Sequence, residues 1–309
     1  MRIAFDILQA LLLLALAPLM RGVIARLKAL AQRRQGSSIW RPYTDLRKLF
    51  GKQELLPETA SPLFRLAPVL LFAFTLAAAA FVPVLQSSAL LGVAGDFILL
   101  IYLLAVGRFF LMLGAMDGGS SFGGMGGSRE ALVSALSEAP LLLALAAAAI
   151  EAHTPALAGI VEVSLAHGVT AVHALAFGAL FMVVLAETGR LPVDNPSTHL
   201  ELTMIHEAMI LEYSGPALAW IEWAAALKLT LLFALLNGIF FPWGMMTVFS
   251  LPALALAAVA FLLKMALAAL LVAAIESSVA KLRMYQVPDF LGVASALAIL
   301  AVFFTALMR

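Results

Sequence analysis

The chain has 309 residues, 63% of them hydrophobic and only 12% charged, with no cysteine and a formal net charge of +1. A water-covered domain needs about 25% charged residues, so half that share excludes a soluble globular protein. The lack of cysteine excludes disulfides and thiolate-held iron–sulfur clusters within this chain.

Taken in order, the apolar runs fall at 3–20, 63–85, 97–114, 131–150, 169–186, 217–241, 249–275 and 290–308. Most are long enough for a helix to cross about 30 Å of hydrocarbon. Nothing alternates apolar and polar residues as an outer-membrane barrel strand would. The expected fold is an all-α integral membrane protein of about eight transmembrane helices plus short amphipathic cytoplasmic helices, forming a single membrane domain over 1–309. The first run is a span rather than a signal peptide, because it holds Asp6 and no small-x-small cleavage site follows it.

The connection after the first run carries Arg21, Arg26, Lys28, Arg33, Arg34, Arg41, Arg47, Lys48, Lys52 and Arg65. With eight spans, Arg129, Arg190, Lys281 and Arg283 fall on the same side, which the positive-inside rule makes cytoplasmic, with both termini outside. The expected cytoplasmic loops are about 23–62, 115–130, 187–215 and 276–289. Within the first, RPYTDLRKLF (41–50) is expected to form an amphipathic helix with Pro42 at its start. That helix either lies on the membrane surface or offers a docking surface. DGGSSFGGMGGSRE (117–130) has six glycines but lacks the Gly-Lys-Ser/Thr of a phosphate loop, and is expected to be a flexible connection. The 151–168 connection holds Glu151, His153, Glu162 and His167 without Lys or Arg, as suits the opposite side.

The densest polar stretch is ETGRLPVDNPSTHLELTMIHEAMILEYSG (187–215). Pro192 and Pro196 interrupt any helix leaving the fifth span. Thr198 and Glu201 have capping-box spacing, so a short helix is expected from about His199 to Glu212. HEAMI resembles the start of a His-Glu-x-x-His metal motif, but Ile210 occupies the second ligand position, so no metal site is expected. Charges also stand inside or at the ends of the spans: Asp6, Arg108, Glu138, Glu187, Glu222, Lys228, Lys264 and Glu276. Each costs at least about 2.5 kcal/mol at the centre of a bilayer. They are therefore expected either to lock helices as ion pairs or to line an ion or proton route. Burial disfavours a carboxylate's charged form, which suits proton exchange near neutral pH.

These stretches resemble the membrane subunit family shared by respiratory complex I and the group 4 membrane-bound nickel–iron hydrogenases. The likeness covers nearly the whole chain. It rests above all on Glu187, Arg190, Pro192, Asp194, Glu201 and Glu212-Tyr213-Ser214-Gly215. RRQGSSIWRPYTDLRKLFGKQE (33–54), GGSREALVSALSEAPLL (126–142) and ESSVAKLRMYQVPDFLG (276–292) are similar to the family's other cytoplasmic loops and to the segment carrying its fourth-span glutamate. The middle of the acidic stretch, IEWAAALK and FFPWG look like the hydrogenase-4 and formate hydrogenlyase branch. Ser37 stands where the family commonly has proline, and residues 195–197 lack acids that complex I carries.

The resemblance implies a non-catalytic, ion-coupling subunit. Its proton path would be Glu138, Glu187, Glu201, Glu207, Glu212, Glu222 and Lys228. Its residues facing a cytoplasmic redox arm would be Arg34, Asp45, Lys48, Arg129, Arg190, Asp194, Tyr213 and Arg283. The nickel–iron centre and the iron–sulfur clusters would belong to other chains. Those implied partners are hydrogenase large and small subunits, a ferredoxin-like iron–sulfur subunit and antiporter-like membrane subunits, with the lipid bilayer and without nucleic acid. Alternatives are a quinone-chamber subunit of an NADH:quinone oxidoreductase, a free-standing secondary transporter, and a passive anchor whose buried charges are only structural.

Overall fold

A computed structural model describes residues 2–86, 95–168, 170–194, 204–247 and 250–307. Its helices are α1 (Arg2–Ala31), α2 (Arg41–Phe50), α3 (Pro62–Phe81), α4 (Phe97–Asp117), α5 (Ser121–Ala152), α6 (Leu157–His167), α7 (Ala171–Glu187), α8 (His206–Ile210), α9 (Gly215–Phe240), α10 (Leu251–Ser278) and α11 (Val287–Leu307). Among the described residues, seven are long and apolar enough to cross a bilayer. The 17-residue α7 is a shorter apolar eighth, and the chain is a multi-pass membrane protein.

Local chemistry sets the helix starts. Ser61, Ser120, Thr170 and Ser250 each accept a hydrogen bond from a backbone N–H of the first turn they precede, satisfying a donor that has no partner inside the helix. Pro62, Pro216 and Pro252 sit in first turns, where a missing N–H costs nothing.

Successive spans alternate in direction. The described parts of the connections 32–61, 118–120, 188–214 and 279–286 therefore lie at one end of the bundle, the loop face, and the start of α1 and the end of α11 at the other. Contacts across each end agree with this order. At the loop face, Leu282 N–H donates to the Pro192 carbonyl at 2.8 Å, and Ser61 N–H to the Asp117 carboxylate at 2.8 Å. At the far face, Asp96 bridges to Ala156 and Gln86 to Met246.

Helix α9 is the axis of the bundle. Apart from Glu222 and Lys228 it is apolar all round, and nearly every residue from Ile221 to Phe240 is buried, as befits a helix surrounded by others. α1, α3, α7 and α10 pack around it, and α11 lies against α5 and α7.

The amphipathic helix at 41–50 forms as expected. It lies against α9, with Phe50 in edge-on contact with Trp220 and Trp223. Three expectations need correction. First, α1 continues to Ala31, so Arg21, Arg26 and Lys28 ride on a helix rather than in a loop. Second, the glycine-rich segment is not a loop: from Ser121 onward it is the first turns of α5. Its glycines serve close packing, since a Cβ on Gly126 would stand 2.9 Å from the Met209 backbone nitrogen and a Cβ on Gly123 would meet the Ala115 carbonyl oxygen at 2.2 Å. Third, of the helix expected from about His199 to Glu212, the described residues are helical only over His206–Ile210, and Glu212 lies beyond that helix. Its proposed start, including His199 and Glu201, lies outside the described residues. The 151–168 connection also contains a helix of its own, α6, whose Leu157 and Ile160 are buried.

Two glycines in one turn of α5 give a matched test. Gly126→Ala forces a methyl against α8 and is expected to cost about 1–3 kcal/mol. Gly124 has nothing within 4 Å of its added Cβ, so Gly124→Ala is expected to be neutral or to stabilise by roughly 0.5–1 kcal/mol. Thermal unfolding of the purified protein in detergent separates the two.

Candidate functional site

The site is organised where α7 stops. Gly189 takes φ +58° just past the helix, the left-handed conformation that glycine adopts without penalty. Its N–H donates to the Ala186 carbonyl at 3.1 Å and that of Arg190 to Leu185 at 2.9 Å. The chain therefore folds back under the bundle and brings Arg190 and Asp194 inward.

The deepest charge cluster joins four helices. Arg108 on α4 places Nη1 2.6 and 2.7 Å from the two oxygens of Glu187 on α7. Lys228 on α9 donates to Glu187 Oε2 at 2.6 Å, and the Ser137 hydroxyl on α5 donates to Oε1. The other nitrogen of Arg108 donates to Glu138 Oε1 at 2.8 Å. Glu187 and Arg108 are buried, whereas the Glu138 side chain is 39% exposed. Arg108 is thus a counter-ion shared between a buried carboxylate and a more accessible one.

A second tier lies nearer the loop face. Arg21 on α1 donates to both the carboxylate and the backbone carbonyl of Glu222 on α9. Glu276, at the end of α10, is held by Arg190 at 3.2 Å and Lys28 at 3.3 Å. Asp194 accepts from Lys281 at 2.6 Å and from the Ile205 N–H at 3.3 Å. Arg129 donates to the Met204 carbonyl at 2.9 Å, tying α5 to the segment before α8.

Two cavities connect the tiers. One, of about 70 Å³, is lined by Arg108, Glu130, Glu187, Asp194, His206 and Lys228. The other, of about 220 Å³, is lined by Arg21, Lys28, Arg190, His206, Glu207 and Glu276. Both share Thr188, Gly189, Asp194 and His206, so His206 stands at their junction. Its Nε2 is buried without a hydrogen-bond partner among the described residues. Both spaces have charged side chains set in largely apolar walls and are larger than the roughly 10–15 Å³ a water needs, and water there would satisfy that nitrogen. Burial pushes the Glu207 carboxyl above the usual carboxylate range, and the nearby Glu222 and Asp194 push the same way, against His206 and Arg21.

Of the expected path residues, Glu138, Glu187 and Lys228 meet in the deep cluster, while Glu222 and Glu207 belong to the second tier. Glu212 is half-buried at the loop face, and Glu201 lies outside the described residues. Of the expected arm-facing residues, Arg34, Lys48 and Arg283 are exposed. Asp45, half-buried, pairs with Arg41 one turn earlier on α2 at 3.5 Å. Arg190 and Asp194 are turned inward and ion-paired. Tyr213 is buried and stacked on Phe64, 4.1 Å between ring centres, and burial raises its phenol. Arg21, Lys28, Arg108, Ser137, Glu276 and Lys281 complete the network and were not among the expected site residues. Arg108 and Glu276 carried a signal as charges within or ending apolar runs. Nothing in the sequence marks which lysines and arginines of the basic segments turn inward. No group of three or more potential metal ligands is assembled among the described residues.

Comparison with known proteins places this geometry. The sequence matches the family model described as NADH dehydrogenase over residues 4–306. It is 33% identical to formate hydrogenlyase subunit 4 of Escherichia coli (strain K12) over 305 residues, 97% of this chain and 98% of that protein. It is also 33% identical to hydrogenase-4 component C of Escherichia coli (strain K12) over 302 residues, 97% of this chain and 94% of that protein. The fold is similar to a chain in the structure of the membrane-bound sulfane sulfur reductase, an archaeal respiratory membrane complex. The TM-score is 0.82 at 24% identity, covering 97% of this chain and 99% of that one.

The raised Glu207 carboxyl gives a signed expectation. Its folded form binds a proton more readily than the unfolded chain does, so it contributes a loss of stability as pH rises from the unfolded carboxylate range through the folded value. Glu207→Gln removes that loss. The variant is expected to gain roughly 2 °C in Tm over wild type at pH 8 and little or nothing at pH 4. An equal gain at both pH values would contradict the assignment.

Proposed function

The chain belongs to the NADH dehydrogenase family, and from that premise we propose that it is the membrane-anchoring, ion-coupling subunit of a membrane-bound hydrogenase-type oxidoreductase complex. The carrying observation is the series of ion pairs, with two adjoining cavities that share lining residues, from the loop face to the Glu187–Arg108–Lys228 cluster. Likeness over nearly full length to subunits of formate hydrogenlyase and hydrogenase-4 supports the hydrogenase branch.

In this reading the loop face, rich in Arg and Lys, is cytoplasmic and both termini lie outside. A cytoplasmic redox arm docks on the exposed loops around Arg34, Lys48 and Arg283. The nickel–iron centre and iron–sulfur clusters sit in that arm, on large, small and ferredoxin-like subunits. Antiporter-like membrane subunits complete the pump. Electron transfer in the arm shifts charge or position in the 188–214 segment, which carries Arg190, Asp194, His206 and Glu207. That shift changes the balance of the second tier, and through Asp194 and His206 it reaches Glu187. A proton or sodium ion moves when Arg108 redistributes between Glu187 and the more exposed Glu138.

A second reading is favoured by one feature. A cavity of about 410 Å³ between α1, α2 and α9 is lined by Pro18, Arg21, Ala25, Leu46, Leu49 and Glu222, a volume in the range of small-molecule sites. A quinone there would make the chain the quinone-chamber subunit of an NADH:quinone oxidoreductase.

Isolation of the tagged chain with its native partners separates these readings. Stoichiometric nickel and iron with hydrogen-dependent dye reduction is the expected result. Iron with flavin and inhibitor-sensitive quinone reduction, without nickel, would replace it with the second reading. A chain that emerges alone from a preparation that preserves assemblies would defeat both. Within the complex, Glu187→Gln and Lys228→Met are expected to leave dye reduction near wild type. They should lower ion uptake by inverted vesicles by roughly 10-fold or more, the scale of losing one proton-transfer group. Unchanged uptake with intact assembly would assign the cluster a structural role only.

A further inference from the structure

Lys264 lies outside the network above. It is on α10, thirteen residues after Leu251 and fourteen before Ser278, so at 1.5 Å per residue it stands roughly 20 Å from either helix end. It lines neither cavity of the charged site. Among the described residues it has no ion pair or hydrogen bond. It opens instead into an apolar groove of about 410 Å³ whose walls include Phe177 and Phe181 of α7, Phe233 and Asn237 of α9, and Leu267 of α10. Asn237 places its amide 3.7 Å from the Met265 sulfur beside it.

A lysine that keeps its charge at that depth is costly unless an anion pairs with it there. Lipid phosphates lie beyond the roughly 15 Å half-thickness of the hydrocarbon, and a lysine stem extends only about 6 Å toward them. A lipid headgroup is therefore out of reach. We infer that the groove of α7, α9 and α10 is the seat of a spanning helix from a partner membrane subunit, and that this helix carries an Asp or Glu near mid-membrane that pairs with Lys264. The aromatic walls accept side chains of such a helix, and in hydrocarbon a charge pair, once formed, has no water to compete for it. The inference rests on the proposed assembly with other membrane subunits.

The test uses the intact complex. Lys264→Met leaves the partner's carboxylate buried without its cation, and is expected to weaken association of that one membrane subunit roughly 30-fold or more, read as its loss in native mass spectrometry after detergent extraction. Lys264→Arg is expected to retain it. A photo-cross-linking residue at Leu267, with Lys264 left in place, is expected to capture a peptide from a spanning segment containing Asp or Glu; this arm decides the matter even if Lys264→Met fails to fold. Full subunit retention in Lys264→Met, loss of a bound phospholipid alone, or a cross-linked helix without a carboxylate would each overturn the inference. A wild-type complex with no other membrane subunit would instead overturn the assembly reading on which it stands.

Discussion

A charge in hydrocarbon must have an opposite charge beside it, and Glu187 is where that constraint governs this molecule. Its two oxygens take Arg108, Lys228 and Ser137 from three other helices. Apolar packing alone would let α4, α5, α7 and α9 slide or rotate against one another, because lipid is as apolar as their surfaces. The carboxylate fixes their register, since losing one partner of such a pair costs about 3–5 kcal/mol. α9 can be apolar almost all round and still be placed uniquely, because Lys228 and Glu222 tie it to α7 and α1.

The same constraint shapes the loop face. Glu276 answers to both Arg190 and Lys28, and Asp194 to Lys281. Arg190 and Asp194 are thereby clamped to α10 and to the turn before α11. His206 sits between the tiers, facing two cavities with charged side chains in their walls, with one nitrogen unsatisfied by the described residues. A series of paired charges beside small cavities can pass a disturbance along by exchanging partners, with no large movement of any helix.

Much of the architecture was legible in the sequence because hydrocarbon imposes a simple rule on length and polarity. The apolar runs locate the spans, and Pro42 with the alternating charges of 41–50 locates α2. The glycine-rich segment misled because glycine weakens a helix in isolation. In the fold, Gly123 and Gly126 let neighbouring backbone approach to distances that any side chain would block. The acidic stretch announced a site, and Glu138, Glu187, Glu222 and Lys228 joined it. Their counter-ions were harder to see. Arg21 and Lys28 look like ordinary flanking positives until α1 continues past the apolar run and turns them toward Glu222 and Glu276. Pairings 79 or 201 residues apart leave no periodic trace in one sequence.

The order of the partners along the chain has a consequence for biosynthesis. Arg108 is made 79 residues before Glu187, and Lys228 41 residues after it. At ordinary translation speeds of about 5–20 residues per second, Arg108 waits roughly 4–16 s for its carboxylate. Until Glu138 follows, 30 residues after Arg108, α4 holds an unneutralised guanidinium, and from then until Glu187 is made it has one of its two carboxylates. The nascent helix must therefore stay beside the insertion machinery, or keep Arg108 in a wet path, until α5 emerges with Glu138, and the pair must stay open to α7 until Glu187 joins it. The cluster that couples helices in the finished protein thus also sets which helices must be retained, and for how long, while the ribosome is still at work.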